Sequence, residues 1–109
     1  MKEKEFMAQV IDVAHANHWL CAHFRAAMMA NGHWVTPVQA DGKGFPDCVF
    51  VRKPHIRFVE FKSETGVLSP EQVMWLGNLR ECNSVETSIW RPSDSEEIIK
   101  VLGGGNASR

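Results

Sequence analysis

Residues 44–62, GFPDCVFVRKPHIRFVEFK, confine the fold most tightly, because two apolar β-type runs flank a connection short enough to join antiparallel neighbours. Residues 47–52 and 56–61 are rich in β-branched and aromatic side chains, and Lys53-Pro54-His55 between them has turn character. A hairpin results. Side chains two apart along a strand share a face, so Glu60 and Lys62 stand together while Phe61 packs inward with its carbonyl still able to face a metal. Antiparallel pairing brings Asp47, at the start of the first strand, beside Glu60 near the end of the second.

Two carboxylates at that separation repel each other, and a divalent cation between them is the natural compensation. Oxygen ligands favour magnesium or manganese over zinc. Lys62 has no place in a simple cation cage. It suits a site where an anionic substrate, such as a phosphodiester, meets the metal and an ammonium offsets phosphate charge or holds the attacking water. An isolated Glu-x-Lys is common on ordinary exposed sheet faces, so the weight rests on the wider pattern.

That pattern, Gly44-Phe45-Pro46-Asp47 followed by Val59-Glu60-Phe61-Lys62, resembles the signature of the PD-(D/E)XK nuclease superfamily and, more narrowly, of the VRR-NUC domain family. A glycine-bearing loop and a helix start, Thr65-Gly66-Val67-Leu68-Ser69-Pro70-Glu71-Gln72, continue it in order. Weaker likeness extends over Glu3, Glu5 and Phe6, over His23-Phe24-Arg25 and Thr36-Pro37-Val38, and over residues 88–94. The chain is most similar to small phage-type members, which are similar in turn to archaeal Holliday-junction resolvases. The resemblance implies a restriction-endonuclease-like core and a Mg2+- or Mn2+-dependent deoxyribonuclease, with branched DNA as the expected structure-specific substrate. It places metal ligands at Asp47, Glu60, the Phe61 carbonyl and an N-terminal glutamate, and catalytic roles at Asp47, Glu60, Lys62 and Gln72. Glu3 precedes Phe6 by the family's spacing and is the choice over Glu5, although both also suit the positive end of a helix dipole. Gln72 carries two readings, as the reciprocal partner in a capping box and as the family's active-site glutamine. The alternative function is a catalytically inactive module of the same fold that binds nucleic acid or a protein partner. A homodimer is expected, since two-fold symmetry matches two equivalent scissile bonds, with Met28, Met29, Met74 and Trp75 as candidate contacts.

Around the hairpin, Phe6, Val10, Val13 and Ala14 mark the buried stripe of a helix over residues 3–18. Residues 19–25 read as a strand, and residues 26–44 as a long connection with turn signals at Asn31-Gly32 and Asp41-Gly42. Connections of that length carry function, so Arg25, His33, Trp34 and Lys43 are candidates for gripping a nucleic-acid backbone or stacking on a base. For Trp34 a partial core contact is an equal reading. Ser69-Pro70-Glu71-Gln72 opens a helix by capping, with Val73, Leu76 and Leu79 on its inner side, Met74 and Trp75 widening that side, and an end near Cys82-Asn83. Residues 85–90 read as a strand, and a last helix after Pro92 points Ile98, Ile99 and Leu102 inward and stops at Gly103. The order is αβββαβα, an α/β fold with a central mixed sheet flanked by helices. Residues 1–102 form one domain on this reading, and 103–109 a disordered tail.

Composition agrees with one modest core, at 109 residues and 44% hydrophobic. The net charge of −1 is not that of a dedicated nucleic-acid binder, but the sign is uneven along the chain. Residues 25–62 hold six basic side chains against three acids, whereas residues 63–109 hold four against seven. Three cysteines without paired spacing suggest reduced thiols. His15, His18, Cys21 and His23 lack a second cysteine pair and span a helix-to-strand change, so zinc is not expected. Residues 1–5 lead into a helix without an apolar signal region, and no run reaches membrane-spanning length. The expected location is the cytoplasm of a bacterial host or phage-infected cell, away from membranes.

Overall fold

Phe6, Val10 and Ala14 recur at helical spacing, and in a computed structural model of the chain they are the buried face of α1, Glu3–Ala16. The structure describes residues 1–24, 27–35 and 37–104, so Arg25 and the end of the expected tail, 105–109, lie outside the described residues. After α1 come β1 (Leu20–His23), β2 (Ala27–Met28), β3 (Trp34–Val35), β4 (Cys48–Arg52), β5 (His55–Phe61), α2 (Pro70–Arg80), β6 (Glu86–Trp90), a 3-10 turn (Pro92–Asp94) and α3 (Ser95–Gly103). The main sheet has the order β1-β4-β5-β6. Its first three strands pair antiparallel, while β6 runs parallel to β5 because α2 carries the chain back across the sheet.

The expected order αβββαβα therefore holds with one addition. The connection read as a loop carries a small hairpin, with Ala27 opposite Val35 and Met28 opposite Trp34. Strands of two residues show no periodicity in sequence, and only the Asn31-Gly32 turn, with Gly32 at φ 87°, announces them.

Helices cover both faces of the main sheet. Alternate residues Cys48 and Phe50 of β4, Val59 and Phe61 of β5 and Trp90 of β6 face α1 and α3, where Phe6 meets Phe61 edge-on at 5.6 Å. The opposite face takes α2, whose buried residue is Leu76. The inner side of α2 runs through Gln72, Leu76 and Leu79. Val73 lies about 100° and Met74 about 200° around the helix from Gln72, and both are exposed, against expectation. In α3 the same angle turns Ile99 out to solvent while Ile98 and Leu102 point in, and the helix runs through Gly103, where the tail was expected to begin. All three cysteines are free thiols, with Cys48 in the core. Among the described residues no helix is long and apolar enough to cross a membrane.

Arg52 closes the end of β4 away from Asp47. Its guanidinium is buried and donates to the carbonyls of Asn17 at 3.0 Å and Leu102 at 2.7 Å, and also to that of Gly104. It lies 4.5 Å from the centre of the Trp19 ring, whose Nε1 donates to the same Leu102 carbonyl. One side chain thus satisfies carbonyls at the C-terminal ends of both α1 and α3. Arg57 is likewise committed, to Ser88 Oγ at 2.6 Å and Glu86 at 3.1 Å. The basic excess of residues 25–62 does not gather into one basic face, because two of its arginines neutralise interior or cross-strand partners. We expect Arg52→Ala to lower unfolding free energy by about 3 kcal/mol. Urea denaturation followed by tryptophan fluorescence checks this, with exposed Ile99→Ser as a control that moves it by less than about 0.5 kcal/mol.

Candidate active site

The β4–β5 register pairs Cys48 with Val59, so two residues further on Pro46 falls opposite Phe61. Proline has no N–H to give, and the ladder cannot continue through it. The bond it forfeits is the one to the Phe61 carbonyl, while the Phe61 N–H donates to Asp47 Oδ2 at 2.8 Å. Both polar backbone groups of a strand residue lie along one edge, so the Phe61 carbonyl also faces the Asp47 side, opposite a residue unable to donate to it. On the other edge the Lys62 N–H donates to the Trp90 carbonyl at 3.0 Å. Pro46 thereby ends the pairing at the point where a carboxylate and a carbonyl become available side by side.

Glu60 lies on the α2 face of the sheet and is 2% exposed. Gln72 Nε2 donates to Glu60 Oε2 at 2.8 Å, while Gln72 Oε1 accepts the Ser69 N–H at 2.8 Å and the Gln72 N–H reaches Ser69 Oγ at 3.1 Å. The capping-box reading of Gln72 holds, and the same amide that closes the box with its oxygen reaches Glu60 with its nitrogen.

Gly44 sets the distance between this helix start and Asp47. Its φ is +85°, and a Cβ there would lie 2.5 Å from Glu71 Cβ and 2.8 Å from the Gln72 nitrogen. Phe45 anchors the same loop in an aromatic cluster, edge-on to Trp75 at 5.0 Å, Phe24 at 5.5 Å and Phe58 at 5.8 Å. Trp75 also donates from Nε1 to the Asp41 carbonyl at 2.9 Å, so it pins this loop as well as lining the helix.

Burial, reinforced by the charge of Asp47 and a hydrogen bond with it, pushes the Glu60 carboxyl up to about 8, against the opposing pull of Lys62. Glu3 is raised too, by burial first and then by Asp47, with Lys62 acting in the other direction. Glu3, Asp47, Glu60 and Lys62 therefore act on one another electrostatically, although Glu3, like Glu5, is exposed on α1. Among the described residues no group of three or more His, Cys, Asp or Glu side chains is arranged to hold a metal ion. The close set is a pair of carboxylates with a backbone carbonyl beside them. An all-oxygen donor set carrying mutually repelling charge fits a hard divalent cation.

A cleft of about 940 Å³ is lined by Asp47 and Gln72 together with His23, Phe24, Val38, Lys43 and Phe45, and Glu60 lies outside its lining. Of the expected nucleic-acid residues, Lys43 lines the cleft and lies 3.9 Å from Glu71. His33 and Trp34 are exposed on the β2–β3 arm and do not line it, and Arg25 lies outside the described residues. Phe24 and Phe45 were not among the expected binding residues, although Phe45 stands inside the Gly44–Asp47 motif.

A family model described as the VRR-NUC domain matches residues 3–88. The chain belongs to the VRR-NUC family. Its three helices and four-stranded mixed sheet agree with a VRR-NUC core of the PD-(D/E)XK type, and membership implies a nuclease-type function. The matched segment includes Glu3, Asp47, Glu60, Lys62 and Gln72, and stops short of Arg91 and α3. Neither the curated proteins nor the solved structures gave a match.

The raised Glu60 group fixes the sign of a pH effect in this VRR-NUC chain. Between its ordinary value of 4.5 and about 8, the folded chain holds a proton that the unfolded chain has released. Stability without divalent ions therefore falls as pH rises through that window. Thermal unfolding in chelator should show this decline, and Glu60→Gln should flatten it. A slope that persists unchanged in Glu60→Gln assigns the titration elsewhere.

Proposed function

We propose that the chain is a Mg2+- or Mn2+-dependent deoxyribonuclease that hydrolyses phosphodiester bonds, with branched DNA as its structure-specific substrate. The reading rests on one observation above all: Asp47, on the wall of the cleft, interacts directly with the buried Glu60 carboxyl behind it, and Lys62 acts on the same group.

The Asp47 and Glu60 carboxylates and the Phe61 carbonyl offer the oxygens for the ion, and Glu3 adds negative charge beside them. A divalent ion bound there supplies Lewis acidity to the scissile phosphate and to the attacking water. Gln72 keeps the Glu60 carboxylate in one orientation through its 2.8 Å hydrogen bond. Lys62 holds the water in line or offsets charge on the phosphate as that charge builds. Lys43 at the cleft and His33 and Trp34 on the β2–β3 arm, together with Arg25, contact the DNA backbone or stack on its bases. The nuclease domain spans residues 1–102 and acts as a homodimer in the cytoplasm of a bacterial host or phage-infected cell.

Replacing Asp47, Glu60 or Lys62 singly by alanine should lower the cleavage rate of manganese-supplemented reactions at least ~100-fold while leaving the far-ultraviolet dichroism intact. Titration calorimetry should find divalent-ion binding in the wild type that disappears in Glu60→Ala. Wild-type protein that binds neither ion, or an Asp47→Ala variant with full activity, points instead to a non-catalytic module. Oligomeric state is a separate question, and gel filtration at moderate salt should return the mass of two chains.

A further inference from the structure

Lys62 is the first residue beyond β5, and its backbone is tied by a single ladder bond, N–H to the Trp90 carbonyl at 3.0 Å. Its half-buried side chain has four rotatable bonds and no ion pair among the described residues. A flexible ammonium of this sort populates many positions unless something confines the stem. The turn at residues 63–66 does so. It closes on itself through the Gly66 N–H to the Ser63 carbonyl at 3.3 Å, and a Cβ on Gly66 would lie 3.3 Å from Lys62 Cδ and 3.1 Å from Ser63 Oγ. The turn therefore runs against the lysine stem, with room for a glycine only by contact.

Arg91 holds that turn. Its Nη1 donates to the carbonyls of Ser63 at 2.6 Å, Gly66 at 2.7 Å and Glu64 at 3.3 Å. Its own backbone is fixed by N–H to Asp94 Oδ2 at 2.8 Å and by accepting the Asp94 N–H at 2.8 Å. A second tie runs the other way, from the Ser93 N–H to Glu64 Oε2 at 3.0 Å. All three carbonyls meet the one nitrogen Nη1, whose two hydrogens serve three acceptors, so one of the bonds is shared. Arg91 also follows directly on Trp90, the residue that binds the Lys62 N–H, so the backbone and the side chain of Lys62 are referred to one point of β6. Arg91 lies beyond the residues the family model matches.

We infer that Arg91 is a positioning residue for Lys62: it clamps the 63–66 turn against the lysine stem and so fixes where the ammonium stands. The inference rests on the nuclease reading only for its consequence in rate. Arg91 spends its Nη1 on three main-chain carbonyls of the turn, which is why it is assigned to positioning and not to DNA contact.

The test is a double-mutant cycle with Lys62. Arg91→Ala should lower kcat roughly tenfold, equivalent to ~1.4 kcal/mol, with KM little changed. In a Lys62→Ala background the same substitution should change kcat by less than about twofold, since its effect passes through the missing ammonium. Gly66→Ala, which presses on the stem from the turn, should behave in the same way and guards against an Arg91 variant that folds poorly. Independently of activity, carbon relaxation at the Lys62 side-chain methylenes should report greater mobility in Arg91→Ala. Multiplying effects in the cycle, a change confined to KM, or unaltered Lys62 relaxation overturns the assignment. A wild type that cleaves nothing overturns the nuclease reading instead, and the relaxation measurement still decides the role of Arg91.

Discussion

Asp47 and Glu60 repel each other, and the surrounding structure holds them together nevertheless. A carboxylate pair withdrawn from water is unfavourable unless donors reach it, and the donors here come from three directions. The Phe61 N–H, where the β4–β5 ladder ends, reaches Asp47, the Gln72 amide reaches Glu60, and Lys62 adds positive charge. The start of β4, the end of β5 and the first turn of α2 are tied through this one contact. Gly44 is the condition for it, because any side chain at that position would strike the Glu71 and Gln72 atoms and separate the loop from the helix.

The two ends of β4 divide the labour. At one end Arg52 draws together carbonyls from the ends of α1 and α3 and stacks on Trp19, an arrangement in which a buried charge has its hydrogen bonds made. At the other end Glu60 remains raised above the ordinary carboxylate range, because burial and Asp47 outweigh the pull of Lys62. Stable proteins tolerate unfavourable local arrangements where function needs them and compensate elsewhere. The net charge of the segment conceals this division, since an arginine counted as a substrate-facing cation is spent on backbone oxygens at the far end of the strand.

What could be read from sequence follows the range of the interaction concerned. The α1 stripe, the hairpin, the capping box at Ser69 and the αβββαβα order all depend on neighbours within a few residues, and they stand as expected. Asp47 beside Glu60 follows from strand direction alone. Val73, Met74 and Ile99 were expected inside, because apolar identity was weighed without the helical angle that only the tertiary packing of α2 and α3 supplies. The fate of Arg52 and Arg57 depends on acceptors 29 to 52 residues away in sequence, from Glu86 to Gly104, and no local pattern announces them. The Gly44 approach to α2 is of the same kind: a glycine in a motif is visible, the helix it touches is not.

Residues 63–69 connect Lys62 to the helix that carries Gln72, and each end of that connection is held by side chain to main chain bonds. Arg91 gathers the carbonyls at its beginning, and the Ser69–Gln72 box fixes its end. Such stiffness matters because misplacing a reacting group by about an ångström can slow a reaction ~100-fold. A site spread over two strand ends and a helix start needs its linking segment to hold one geometry. The sheet supplies Glu60 and Lys62 on one rigid strand, and the capped helix returns Gln72 to that strand at hydrogen-bond distance. The result is a constellation whose members are set by backbone pairing first and by side-chain rotamers second, the order in which precision is most readily kept.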